Sequence, residues 1–196
     1  MQKEYTVTVY TEDRIGITNR ITVIFTRRGI NITSLTTAET EIPGVYKFII
    51  TVLSEKSKLE KIVGQIERLI EIHRAFVHEE DEVVYQELAL YKISTKALKN
   101  GNIEQLIREN NARILTITDE YFVLEKTGHQ EELIALQAKL APYGLIEYSK
   151  SGRVAIVKWS RRFHDHLKEL EAQRPDNLKQ ARYTAHTEVS AEEESI

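Results

Sequence analysis

The chain has 196 residues, of which 41% are hydrophobic, and this is enough for one large or two small folded domains. It contains no cysteine, which excludes disulfides, thiolate nucleophiles and cysteine-ligated metal centres, and its formal net charge of −3 gives no global attraction for nucleic acid. No apolar run approaches the ~20 residues that cross a bilayer, and the N-terminal stretch MQKEYTVTVY is too polar for a signal peptide, so we expect a cytoplasmic protein without membrane contact.

The first predicted elements are a strand and a helix. Residues 4–10 alternate with the period of a half-buried strand, whose inner face carries Tyr5, Val7 and Val9. A turn over residues 11–16 follows. From Ile17 to Phe25 the apolar side chains recur at helical spacing, and Gly29 can end this helix in a left-handed conformation.

A hairpin, a second helix and a short strand are predicted next. Two stretches rich in β-branched residues, 31–40 and 45–53, flank a Pro-Gly turn. An amphipathic helix over residues 59–69, with Ser54 or Ser57 as its N-cap, precedes a strand over residues 72–78. The order β-α-β-β-α-β is that of a ferredoxin-like unit, an antiparallel sheet with both helices on one face.

The acidic run at residues 79–82 interrupts the hydrophobic pattern, and we interpret residues 81–86 as a linker. The same order of elements then recurs. Strands are predicted over residues 87–94, 113–118, 121–126 and 145–148, helices over residues 103–110 and 131–140, and a last strand over 154–157 that extends or pairs with the strand before it. The prediction is an α+β protein of two tandem ferredoxin-like βαββαβ domains, residues 1–80 and 87–159.

Residues 160–196 differ in composition from the rest. They predict an amphipathic helix before Pro175, against which Trp159 is expected to pack, and an acidic, disordered end beyond Thr187. The apolar and basic residues of that helix are Arg161, Arg162, Phe163, Leu167 and Leu170.

Motifs of catalysis are missing from the sequence. The glycines are too far apart for a phosphate-binding loop or a dinucleotide fingerprint. His164 and His166 would point apart on a helix, which favours solvated side chains over a metal site. The acidic run is better explained as a solvated linker than as an acid/base pair, and Arg27 and Arg28 as cations that offset a helix dipole rather than as nucleic-acid contacts.

The loop before the first helix is the one plausible site for a small ligand. Residues 13–16 precede backbone N–H groups that have no partner inside the helix and can hold a carboxylate, while Asp13 can accept from an ammonium group. Asn31 offers a donor and an acceptor. Apolar neighbours favour an aliphatic ligand side chain, namely Ile15, Ile17 and Ile32. The same residues can have purely structural roles, Asp13 as an N-cap, Gly16 in a tight turn and Asn31 in another turn.

Longer motifs carry a resemblance to a known family. DRIGITNRI at residues 13–21, followed by RRGINI at 27–32, resembles the ACT domain, a ferredoxin-like module that commonly binds amino acids. With TRRGINITSLTTAETE at 26–41, QELALYKI at 86–93 and KSGRVAIVKW at 150–159, residues 3–159 resemble the small regulatory subunit of acetohydroxyacid synthase, also called acetolactate synthase.

The resemblance implies a subunit without catalytic residues, cofactor or metal of its own. Its partner would be the large catalytic subunit, which uses thiamine diphosphate, Mg²⁺ and FAD in branched-chain amino-acid synthesis. The small subunit would activate that enzyme and mediate its feedback inhibition by valine or another branched-chain amino acid.

The resemblance also implies where the effector binds. In the family, ACT domains pair side by side in a homodimer and the effector lies between two chains. Carried over by position, one chain supplies the loop of Asp13, Arg14, Ile15, Gly16 and Ile17, and the other supplies Asn31 and Ile32.

The chain departs from the family pattern at this loop. Asp13 replaces the usual Asn, Ile15 replaces a frequent Pro, and Thr18-Asn19 replaces Leu-Ser or Leu-Ala. The alternative function is a free-standing ACT-type sensor of amino acids that regulates another enzyme, a transporter or a transcription factor. An autonomous small enzyme is disfavoured because no nucleophile, metal set or phosphate loop can be assembled.

Overall fold

The structure, a computed structural model, describes residues 2–99 and 102–158. The helix predicted before Pro175, the disorder expected beyond Thr187 and the packing role expected for Trp159 lie outside these residues, as do His164 and His166. None of the described helices is long and apolar enough to span a membrane.

The first half of the chain forms one antiparallel sheet with two helices. β1 (Lys3–Glu12) and α1 (Ile17–Arg27) are followed by β2 (Ile32–Glu39), β3 (Val45–Ser54), α2 (Lys56–Ile66) and β4 (Ile72–His78). The strand order is β2-β3-β1-β4, with β2 and β4 at the edges. Apolar side chains of both helices share a core with the predicted inner face of β1, so the first ferredoxin-like unit is confirmed.

The second half repeats this arrangement. Its elements are β5 (Val83–Ser94), α3 (Asn102–Glu109), β6 (Arg113–Ile117), β7 (Tyr121–Gly128), α4 (Gln130–Leu140), β8 (Leu145–Lys150) and β9 (Val154–Val157). The first four strands of the repeat run in the order β6-β7-β5-β8, which is the equivalent order to that of the first sheet. A separate core lies between this sheet and its two helices. The predicted α+β fold of two ferredoxin-like units is therefore confirmed.

Glycines end two elements as predicted, whereas the N-cap of α2 differs from the prediction. Gly29 has a φ of 64° and donates to the Thr26 carbonyl, and Ile30 donates to the Phe25 carbonyl, which closes α1 with a Schellman pattern. Gly44, with a φ of 77°, turns the hairpin. Glu55, rather than Ser54 or Ser57, precedes α2, because β3 continues through residue 54.

The expected linker at residues 81–86 is mostly strand. The acidic run forms a short 3-10 turn, Glu80–Glu82, in which the Glu79 N–H donates to Glu82 Oε2 over 2.7 Å. β5 starts directly afterwards, because Val83 and Tyr85 are apolar enough to be buried against the first sheet. Accordingly β9 pairs with the first four residues of β5. Both predicted arrangements were wrong, because β9 neither extends β8 nor pairs with it.

The outer face of the first sheet is buried as well, which the prediction of a half-buried β1 did not foresee. Thr6 and Thr8 on that face are each only 1% exposed. The start of β5 and β9 cover it and form a small core with Ile49 of β3. The first sheet therefore has helices on one face and the second half of the chain on the other.

Candidate functional site

The loop between β1 and α1 is open to solvent. Residues 13–16 are all exposed, and Gly16 adopts a φ of 84° at the N-cap of α1. No side chain caps this helix, so Asp13 does not have the N-cap role that was the structural alternative for it. Arg14 Nε donates to Glu12 Oε2 over 3.2 Å. The loop therefore presents the start of a helix whose backbone donors are not covered by a cap.

Two isoleucines of the predicted site have different surroundings. Ile15 is fully exposed at the tip of the loop. Ile17 is buried in the first core with Ile21, so its side chain anchors the loop and does not face outward. Its expected contact with a ligand side chain is not available in the described conformation.

Asn31 and Ile32 lie at the opposite end of the same sheet. Helix α1 separates them from the loop, and its 11 residues span ~16 Å at 1.5 Å per residue. The strand register agrees, because Glu12 pairs with Val45 whereas Ile32 pairs with Val52 at the other end of β3. Asn31 is exposed and Ile32 is half-buried against the first core. A single chain therefore does not bring the two predicted groups together.

A pocket of about 380 Å³ adjoins Asn31. It lies where α1 ends, β2 begins and β3 runs into α2. Its lining includes two cationic residues, Arg28 and Lys58, and two apolar ones, Ile30 and Leu53. The other lining residues are Gln2, Gly29, Asn31, Thr33 and Ser54. In the sequence, the helix dipole alone explains Arg28 and nothing singles out Lys58, since no local pattern links residues so far apart in the chain.

Charges in and around this pocket are incompletely paired. Among the described residues, Arg28 forms no ion pair, and Lys58 Nζ lies 3.6 Å from the exposed Glu55 carboxylate. Exposed pairs of this kind contribute little, ~0–1 kcal/mol. The pocket is therefore suited to an anionic group beside a small apolar one.

Elsewhere in the described ranges, no cluster of His, Asp and Glu that could hold a metal ion is found.

A buried arginine joins the two halves of the chain. Arg153, only 2% exposed, donates from Nη1 to Thr6 Oγ1 over 3.0 Å and from Nη2 to Glu4 Oε2 over 2.5 Å. Its guanidinium carbon lies 3.6 Å from the centre of the Tyr85 ring. The buried Glu87 carboxylate lies 3.9 Å from Arg153 Nε. A charge as deeply buried as this one requires such partners.

Glu87 has a second cationic partner. Lys150 Nζ lies 2.6 Å from Glu87 Oε2. Lys150 and Arg153 both belong to the stretch KSGRVAIVKW, which in the sequence carries only the family resemblance. Their structural role became visible only when residues on β1 and β5 were placed beside them.

Burial also shifts the pKa values of groups on the covered face of the first sheet. Burial, reinforced by the charge of Glu41, raises the pKa of Tyr10 to about 12. Burial lowers the pKa of Lys47, whose Nζ donates to the Ala155 carbonyl over 2.7 Å. Burial likewise lowers the pKa of His78. This face is therefore a dry contact between domains, and the solvent-accessible site candidates remain the loop and the pocket.

Comparison with known proteins links both halves of the chain to one type of protein. Residues 7–74 match a family model described as an AHAS small subunit-like ACT domain, and residues 86–159 match one described as the small subunit of acetolactate synthase.

Individual relatives agree with these family models. The acetolactate synthase small subunit of Mycolicibacterium smegmatis is 36% identical over 157 residues, which are 80% of this chain and 92% of that protein. A probable acetolactate synthase small subunit of Archaeoglobus fulgidus is 30% identical, over 81% of this chain and 99% of that protein. The crystal structure of the acetolactate synthase small subunit from Thermotoga maritima superposes with a TM-score of 0.73 at 26% identity, covering 81% of this chain and 99% of that one.

Proposed function

Because the chain belongs to the acetolactate synthase small-subunit family, we propose that this regulatory subunit activates the large catalytic subunit and inhibits it when a branched-chain amino acid binds. The catalytic partner carries thiamine diphosphate, Mg²⁺ and FAD in this proposal, and the complex works in the cytoplasm. The effector is valine or another branched-chain amino acid, and it binds between two ACT domains.

The observation that carries this proposal is the separation of the two predicted groups along α1. The exposed loop of Asp13 to Gly16 lies at one end of the helix and Asn31 at the other. Two copies placed side by side with their α1 helices antiparallel would bring the loop of each against the Asn31 of its partner. β2 is an edge strand of the first sheet, and an edge strand can pair with a second chain in such a homodimer.

Inhibition in this arrangement is a shift of population. An effector can inhibit only if it binds the inactive assembly more tightly than the active one. The buried contacts of Arg153 with Thr6, Glu4 and Glu87 join the proposed effector-binding domain to the rest of the subunit.

The test is reconstitution with the large subunit. The chain alone is expected to have no synthase activity, and its addition to the large subunit to raise turnover. Valine, leucine and isoleucine are then titrated separately, and one of them is expected to reduce turnover saturably. Turnover that is unaffected by the chain would overturn the proposal and favour the free-standing sensor.

A further inference from the structure

We infer that the pocket beside Asn31 binds the carboxylate of the effector through Arg28 and Lys58, with the aliphatic side chain of the effector against Ile30 and Leu53. This inference rests on the proposed function and adds the orientation of the ligand to it. The chemical class is an α-amino acid with a small branched side chain.

The charge of the loop before α1 decides where the ligand carboxylate can lie. Asp13 places a carboxylate in the exposed segment before α1, where the ligand carboxylate would otherwise meet backbone donors. A ligand carboxylate beside Asp13 would be repelled by it, and the repulsion is strong where water is displaced. Asp13 instead attracts the ammonium group of the ligand. The carboxylate must then point away from the loop, toward the surface that the partner subunit presents.

The surface that the partner subunit presents carries cationic side chains. In the proposed dimer it is the end of α1 with Asn31, and this end adjoins the pocket. Arg28 has no ion pair among the described residues, and Lys58 has only the long contact with Glu55. An arginine fork is the side chain best matched to a carboxylate. Glu55 is the acidic residue that pairs with a cation of this pocket, and its contact is too long for a hydrogen bond.

The end of α1 does not repel an anion strongly. A helix C-terminus normally exposes carbonyl oxygens with partial negative charge. Here the carbonyls of Phe25 and Thr26 accept from the N–H groups of Ile30 and Gly29, with N···O distances of 3.1 and 3.0 Å. The remaining field near the pocket is dominated by its cationic side chains.

The size and lining of the pocket also fit an amino acid with a small branched side chain. A volume of about 380 Å³ is at the lower end of the range for small-molecule pockets, ~300–1,000 Å³. Ile30 and Leu53 line it as apolar side chains beside the two cations. An amino acid with a short branched side chain therefore meets a cation and an apolar wall together, whereas a purely polar anion leaves the apolar wall unused.

The test is calorimetric titration of the full-length chain, with and without the large subunit, using matched pairs of ligands. Valine, leucine and isoleucine are compared with valinamide, leucinamide and isoleucinamide, which keep the ammonium group and side chain but lack the carboxylate. The wild type is expected to bind the amino acid that serves as effector about tenfold more tightly than its amide. Arg28→Gln is expected to remove this preference by weakening amino-acid binding, with amide binding unchanged. Lys58→Gln is likewise expected to weaken amino-acid binding and to reduce the preference for the amino acid over its amide.

Arg27→Gln is the matched control. Arg27 is adjacent, exposed and equally charged, but it does not line the pocket. Its replacement is expected to change amino-acid affinity by less than about twofold. Thermal melting of each variant checks that the fold is intact.

The outcomes separate this inference from the proposed function. If the wild type binds an amino acid and Arg28→Gln leaves both the affinity and the preference over the amide unchanged, the inference is overturned and the proposed function stands. Displacement of the amino acid by inorganic phosphate at equal concentration also overturns it, because the pocket is then a general anion site. If none of the three amino acids binds the wild type in either form, the proposed function fails first.

Discussion

Gly152 lies so close to Thr36 that a Cβ on the glycine would overlap the threonine hydroxyl. The same Cβ would stand 3.3 Å from the carbonyl oxygen of Leu35, which belongs to the same strand, β2. The loop between β8 and β9 thus rests directly on the edge strand that begins beside Asn31. A glycine is favoured here because the loop lies against the Thr36 side chain and the Leu35 backbone, and not because of a left-handed φ.

Gly152→Ala is therefore expected to destabilise the protein by ~1–3 kcal/mol, because backbone atoms of β2 cannot move aside without cost. Urea unfolding at equilibrium measures this change in the free energy of unfolding. Gly64→Ala is the control, since nothing lies within 4 Å of the added Cβ inside α2, and alanine there is expected to stabilise by ~0.5–1 kcal/mol. A neutral effect at residue 152 would contradict the close contact.

Arg153→Met is expected to cost about 3 kcal/mol, because it leaves the buried Glu87 with only one cationic partner, Lys150. Equilibrium unfolding in urea measures this loss of stability. In a double-mutant cycle with Glu87→Gln the two losses should be less than additive, since the carboxylate left behind is removed. Arg113→Gln is the surface control. It breaks a pair with Glu125 in which the arginine side chain is 71% exposed, and its cost should stay below ~1 kcal/mol.

The pH dependence of stability should carry a contribution from His78. Burial holds the pKa of His78 below its ordinary value of 6.5, the charge of Glu82 opposes this shift, and Lys47 reinforces it. The unfolded chain therefore takes up the proton first. The stability from neutral His78 is complete above about pH 6.5 and is lost as the pH falls through the lower pKa of the folded state.

Urea unfolding at about pH 7.5 and about pH 5.5 tests this, with wild type and His78→Gln side by side. The variant is expected to lose less stability on acidification than the wild type. Equal losses in the two proteins would assign the acid sensitivity to other groups.

Asn31→Ala is expected to weaken the effector response and to leave the fold intact. The side chain is exposed and its removal should change the free energy of unfolding by ~1 kcal/mol or less. Calorimetry with the effector measures the first effect and thermal melting the second. Thr37→Ala, an exposed position farther along β2 and outside the pocket, is the matched control. Unchanged binding in the Asn31 variant would remove this residue from the site.

Elements with a strong local pattern were predictable from the sequence. The strand predicted over residues 72–78 is β4 with the same bounds, and the strand predicted over 154–157 is β9. Alternation and helical spacing encode which side chains share one face, and the two main cores follow from them. The loop of residues 13–16 likewise connects β1 and α1 as predicted, and Asn31 directly precedes β2.

What the sequence did not reveal depends on contacts between distant residues. The pairing of Arg153 with Glu4 joins positions 149 apart, and no local pattern announces it. Thr6 and Thr8 look like solvent-facing residues of a strand, because threonine suits either a wet face or a buried hydrogen-bonded one. The pocket residue Lys58 was missed for the same reason, since it lines the same pocket as Arg28 only after β3 has returned along β2.

β5 is one continuous strand with its first four residues in the contact between the two halves and its remainder in the second sheet. We therefore expect the two repeats to unfold as one cooperative unit. A fragment that ends near residue 80 would expose the dry face of β1 and β3 to water, and a fragment that starts at residue 87 would leave β9 without a partner strand. The duplicated topology suggests two modules, but because they share this strand we expect them to unfold together.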